Sequence, residues 1–151
     1  MNLGVYTNTL GNSEDLLSAV KGIEDGLKER KLDDASIFYD SASIDFPDIR
    51  ISCGCFNSTD LWNFTGSLVA TDLDCAKNAL SMVNKFNVIY YYGWNTKYKV
   101  NTIALLEVAL NEKVRTICRT EGDLKKFKRL TGKDAAVVED FDINQLLEVI
   151  K

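Results

Sequence analysis

A chain of 151 residues, 46% hydrophobic and 26% charged, is long enough for one globular core; such a domain buries about 68–70% of its unfolded surface without staples. One proline, nine glycines and no histidine exclude collagen-like structure, disorder and any chemistry built on an imidazole. The net charge of −4 divides into unlike blocks: −6 over residues 1–49, zero over 50–112, +6 over 113–133 and −4 over 134–151.

Leu3 to Thr7 reads as a short apolar strand, and the polar run Asn8 to Asn12 as a loop. Ser13 then caps a helix, with Glu14 and Asp15 at its positive end and Leu16, Val20, Ile23 and Leu27 on one face. Ala35 to Tyr39 gives a second strand, and Ile49 to Phe56 a third after an irregular stretch around Pro47. Ser67 to Thr71 is strand-like. Thr71 or Asp72 caps the next helix, whose face carries Leu73, Ala76, Leu80 and Val83. Asn87 to Tyr92 is the strongest strand signal, ended by Gly93-Trp94, and Asn101 to Asn111 reads as a helix with Ile103, Leu106 and Leu110 aligned. Val114–Cys118 is a strand, Glu121 to Leu130 a helix closed by Gly132, Ala135 to Val138 a short strand and Ile143 to Ile150 a last helix. Strands alternating with helices of about ten residues form βαβ units. The expected fold is therefore α/β: a mostly parallel, Rossmann-like sheet with helices on both faces, in a single domain over residues 1–151.

No apolar run approaches the ~18–20 residues of a membrane span, and the first residues lack the basic and apolar regions of a secretion signal, so a cytoplasmic location is expected. Cys53, Cys55, Cys75 and Cys118 are accordingly expected as reduced, buried thiols. Cys53-Gly54-Cys55 places two thiols on one strand face, but no second pair completes a metal site. There is no Gly-x-Gly-x-x-Gly and no Walker-type loop, so no cofactor is expected.

In open parallel sheets, ligands enter at the strand carboxyl ends. That edge nominates Thr7, Asn8, Asn57, Asp72, Trp94 and Arg119 as substrate-binding residues, with Asp72 orienting hydroxyls and Arg119 attracting an anionic group. Trp94 stacks on a ligand ring or lids the core. Asn95, in the same loop, Asp40-Ser41 after the second strand and Ser58-Thr59-Asp60, which follow Asn57 after the third, belong to the same rim. The basic residues of 113–133 offer a surface for an anionic partner, although such runs are ordinarily a solvated helix face. Glu107, in an apolar helical stretch, is the one carboxylate placed for acid–base work.

The second half resembles the amino-terminal Rossmann-like half of GT-B glycosyltransferases, and more closely small phage-encoded glycosyltransferase-like proteins. The resemblance is carried by residues 68–76, by Ile89-Tyr90-Tyr91-Tyr92-Gly93-Trp94, by Ile117-Cys118-Arg119-Thr120-Glu121 and by residues 137–142. It implies a domain that binds a nucleotide-sugar or other small molecule, a protein partner or a second transferase subunit, located in the host cytoplasm if phage-encoded. It implies an incomplete enzyme, since no segment matches a donor-diphosphate site and the chain stops where the second domain would begin. Glu107 within Leu106-Glu107-Val108-Ala109-Leu110 is also similar to the helix that carries the catalytic glutamate of nucleoside deoxyribosyltransferases. A non-enzymatic interaction module is the remaining reading.

Overall fold

The structure is a computed structural model that describes residues 1–83, 86–94 and 101–151. Its strands are β1 (Asn2–Leu10), β2 (Asp34–Ala42), β3 (Gly54–Asn57), β4 (Gly66–Ala70), β5 (Phe86–Tyr92), β6 (Val114–Cys118) and β7 (Ala136–Val137). They form one sheet in the order β3-β2-β1-β4-β5-β6-β7, with every pairing parallel. The helices are α1 (Glu14–Lys28), α2 (Leu73–Ser81), α3 (Thr102–Ala109), α4 (Glu121–Thr131) and α5 (Ile143–Ile150). The strand order reverses between β1 and β4, so this is the doubly wound α/β arrangement expected from the alternation.

Alternate strand residues supply two cores. Leu3, Val5, Ile37, Val69, Ile89, Tyr91 and Ile117 face α1 and α5. Tyr6, Phe38, Leu68, Ala70, Tyr90, Tyr92 and Cys118 face α2, α3 and α4. The tyrosine run thus serves both sides, as its period of two requires. Helix starts follow local chemistry: Ser13, Asp72 and Thr120 each accept a backbone N–H of the first turn, and Gly132 ends α4 at φ 71°.

Several elements differ from the sequence reading. β2 runs from Asp34 to Ala42, so Asp40 and Ser41 lie within it rather than after it, paired onward with the extended end of β1. β1 runs on through Asn8 to Leu10 because Thr9 and Leu10 still pair with Ser41 and Ala42, although β1 leaves β4 after Tyr6. β3 begins only at Gly54, since both the N–H and the Oγ of Ser52 donate to the Glu24 carboxylate of α1, at 2.6 and 2.7 Å, and hold residues before it out of the sheet. α2 stops at Ser81, leaving Val83 92% exposed. α3 buries Leu105, Val108 and Ala109 while Ile103 and Leu110 face outward; a helix apolar nearly all round gives no period from which its buried stripe can be read.

The return from β3 to β4 decides where the sheet is left open. It crosses three strand spacings, roughly 14 Å sideways, and must also come back along the sheet. Only residues 58–65 are available. Eight residues span under about 29 Å even fully extended, which leaves no slack for a covering α-helix and its loops. The chain instead forms a 3-10 turn, Ser58–Asn63, and two extended residues. On the other face, α1 approaches the 139–141 turn so closely that a Cβ at Gly22 would lie 2.5 Å from the Phe141 carbonyl oxygen. We expect Gly22→Ala to lose about 1–3 kcal/mol. Gly122→Ala, in the first turn of α4 where an added Cβ meets only Thr120 Oγ1 at an ordinary contact distance of 3.6 Å, should gain about 0.5–1 kcal/mol. Urea unfolding midpoints check both.

Candidate functional site

The carboxyl edge of the sheet is closed on the α1/α5 side by the protein's own groups. Arg119, just past β6, donates from Nε and Nη2 to Asp140 Oδ1 at 3.0 and 2.8 Å and from Nη1 to Asp15 Oδ1 in the first turn of α1. Burial alone would lower its pKa, but its hydrogen bonds with Asp140 and Asp15 hold it above the ordinary value. Asp140 and Phe141 both take left-handed φ, 42° and 60°, a conformation costing roughly 1–2 kcal/mol per residue. That turn is held by Phe141, which is fully buried with its ring 6.1 Å from Tyr91 and 5.7 Å from Trp94. The Tyr91 hydroxyl adds to it, donating to the Val138 carbonyl and accepting the Phe141 N–H at 3.2 Å.

Trp94 is only 5% exposed, so of its two sequence readings the structure shows a lid on the core. Asn95 lies outside the described residues. Glu14 and Asp15 add negative charge at the start of α1, where a dinucleotide's phosphates would rest in a Rossmann binder, and no glycine-rich loop precedes them. Thr7 is 8% exposed and Asn8 exposed, both on the stretch of β1 that has parted from β4.

The α2 side of the same edge carries a polar cluster. The Tyr6 hydroxyl donates to Asp40 Oδ1 at 2.7 Å and accepts from Asn78 Nδ2 at 3.3 Å. Burial raises its pKa to about 12, so it remains a donor at any working pH. Thr71 closes the parting of the strands by donating its N–H and Oγ to the Tyr6 carbonyl at 3.0 and 3.1 Å. Asp72 caps α2 by accepting the Cys75 N–H at 2.8 Å, and burial raises its carboxyl pKa. Asn57 caps the 3-10 turn through the Thr59 N–H at 3.1 Å. Asp72, which caps the helix that carries Asn78, therefore belongs near the Tyr6 cluster, while Trp94 and Arg119 stand on the α1/α5 side of the sheet.

The concave feature is elsewhere. Because the crossover is a 3-10 turn, the α2-side face of β2 and β3 is incompletely covered, and a groove of about 480 Å³ opens there. This size falls within the usual range of ligand pockets. Phe38, Phe56 and Phe64 form its aromatic wall, with Phe38 6.0 Å from Phe56 and 5.3 Å edge-on from Phe64. Among the described residues its polar lining is Asn2, Asp34, Ser36, Asp60, Asn63 and Thr65, which holds two carboxylates and no cation. Phe56 is 43% exposed and available for stacking. Of these only Asp60, in the run Asn57 to Asp60 after the third strand, is nominated from sequence. The signal that would have found the others is the eight-residue return beside three phenylalanines.

A smaller concavity, about 320 Å³, lies by Arg115, Lys133 and Asp134. Within the basic block, Lys128 pairs with Asp134 at 3.0 Å and Arg119 with Asp15 and Asp140, while Lys125, Lys126 and Arg129 lie exposed on α4. Glu107 pairs with Lys77 of α2 at 3.0 Å, and its side chain is 58% exposed. Among the described residues no set of three or more acidic or thiol side chains is placed to hold a metal ion, and no helix is long and apolar enough to cross a membrane. The chain matches no protein-family model, no curated protein and no solved structure, so chemical interpretation rests on these arrangements.

Asp72 gives a direct check on the electrostatics. A carboxyl whose folded-state pKa is raised contributes most when protonated, and that contribution is lost as pH rises through the folded pKa. Asp72→Asn keeps the capping oxygen and removes the charge. The variant should be at least as stable as the parent at pH 7, and the difference should vanish below about pH 4, where the carboxyl is protonated in both states. Urea midpoints across pH read this, and a parent clearly more stable at pH 7 would contradict it.

Proposed function

We propose that the chain is a glycosyltransferase-like binding domain whose ligand is a neutral sugar ring seated in the groove beneath the 3-10 turn. The observation that carries this reading is the lining itself: an accessible phenylalanine face opposite Asp34, Asp60 and Asn63. A sugar ring has one apolar C–H face that covers an aromatic ring and a perimeter of hydroxyls that donate to carboxylates and amides. Two carboxylates with no cation among the described lining residues disfavour phosphate, which argues against a nucleoside diphosphate as the ligand of this groove. The acidic first turn of α1 disfavours it at the strand edge as well. This is the chemistry of an acceptor or carbohydrate-binding half rather than of an activated-donor site; the resemblance of residues 67–142 to the amino-terminal half of GT-B enzymes supports the family reading, while the groove itself is built from residues 2–65.

Thermal unfolding with a panel of neutral monosaccharides and their methyl glycosides, set against nucleotide-sugars, tests the reading. A sugar present at ten times its dissociation constant should raise the midpoint by about 3–6 °C. Phe56→Ala and Asp60→Ala should abolish that shift, and Arg119→Lys should retain it. Absence of a shift with every neutral sugar, or a nucleotide-sugar shift that survives Phe56→Ala, would overturn it.

A further inference from the structure

The sheet is also left open at the edge opposite β3. The last strand, β7, has two residues and pairs only with Ile117 and Cys118, so Val114 to Thr116 of β6 run past its end. A concavity of about 320 Å³ lies there, between β6 and the segment that leads from α4 into β7. Its apolar part is small and aliphatic, from Val114, Ala135, Ala136 and Val149, and its charged part is Arg115, Lys133 and Asp134. These charges differ in what they already hold. Asp134 accepts Lys128 Nζ at 3.0 Å and the Ala135 N–H at 2.9 Å, and both bonds keep its carboxyl below the ordinary range, so it stays ionised and engaged. Arg115 and Lys133 are exposed and have no ion-pair partner among the described residues. The negative end of α4 is partly taken up within its own last turn, where the Thr131 hydroxyl donates to the Phe127 carbonyl and the Gly132 N–H to the Lys128 carbonyl, each at 2.8 Å. A backbone donor adds to the two cations. The Cys118 carbonyl accepts the Val138 N–H at 2.9 Å on the β7 side, so Thr116, two residues earlier, directs its own N–H to that side, beyond the end of β7.

We propose that this pocket binds a small carboxylate with a compact apolar body, its charge held by Arg115 and Lys133 and its body set against Val114, Ala135 and Val149. A guanidinium presents paired donors that match the two oxygens of a carboxylate, and an ammonium adds a point charge beside it. The lining carries one net positive charge, which suits a monoanion; a dianion meets the added repulsion of Asp134. The volume stands at the lower end of the range for ligand pockets, a size for a small acid rather than for a nucleotide or a peptide strand. The sugar groove has the opposite sign, with two carboxylates and no cation among its described lining residues, so the two concavities select different ligand classes. This inference therefore stands apart from the carbohydrate reading.

Backbone amide shifts of the intact protein during titration with benzoate test it, with benzamide as the neutral counterpart and sulfate as a compact dianion. Benzoate should move residues 114–116 and 133–136 saturably, while benzamide and sulfate at the same concentration leave them in place. Arg115→Gln should weaken benzoate binding about tenfold or more, and Lys133→Gln should weaken it in the same direction. Lys125→Gln, exposed on α4 outside the pocket, should not change it. Shifts that fail to saturate, that appear equally with sulfate, that centre on Lys125, Lys126 and Arg129, or that survive Arg115→Gln would overturn the proposal. The titration of the unsubstituted protein decides it even if a variant folds poorly.

Discussion

The length of the return from β3 to β4 constrains everything on the α2 side of the molecule. Parallel strands are ordinarily joined by crossovers of about a dozen residues or more, long enough to hold a helix that covers the sheet. Eight residues that must pass β2 and β1 cannot do so. The sheet face they fail to cover with a helix is lined by Phe56, which is exposed, and Phe64, both packed against the buried ring of Phe38. The groove is thus a consequence of chain economy rather than of a special motif. Its aromatic wall and acidic rim come from residues whose structural duties are light, since Phe56, Asp60 and Asn63 all reach solvent.

On the opposite face the same topology is sealed. Three chain-distant elements meet at one guanidinium: the end of β6 through Arg119, the start of α1 through Asp15, and the turn before α5 through Asp140. The left-handed pair Asp140–Phe141 persists because it is overdetermined by that guanidinium, by the Tyr91 hydroxyl and by the aromatic contacts with Trp94 and Tyr91. Gly22 completes the arrangement by letting the Phe141 carbonyl come close to α1. A rim built this way orders the carboxyl ends of β5 and β6 and occupies the place where a doubly wound fold ordinarily receives a phosphate.

The fold was legible because period and capping agree at most elements. Ser13, Asp72 and Gly132 mark boundaries through interactions that extend only a few residues, and the alternation of Tyr90, Tyr91 and Tyr92 needs only the strand period. Where tertiary contacts decide, local reading fell short: Glu24 delays β3 by capturing Ser52, and α3 turns Leu105 rather than Leu106 to the core. The site was less legible. A rule about strand ends selects loops by position and cannot see that Arg119 and Trp94 are consumed by neighbours that lie far off in sequence, such as Asp15 and Phe141. It also says nothing of a groove that exists because a connection is short.

The recognition region we propose lies between β2, β3 and the 3-10 turn, on the face opposite the closed rim, with the Tyr6–Asp40–Asn78 cluster as its polar neighbour at the strand ends. Backbone amide chemical shifts recorded during titration with neutral methyl glycosides test that assignment most directly. The account predicts changes concentrated at residues 34–36, 56 and 60–65, with Asp15, Trp94, Arg119 and Asp140 unmoved. Changes centred on those four residues, with residues 60–65 silent, would contradict it.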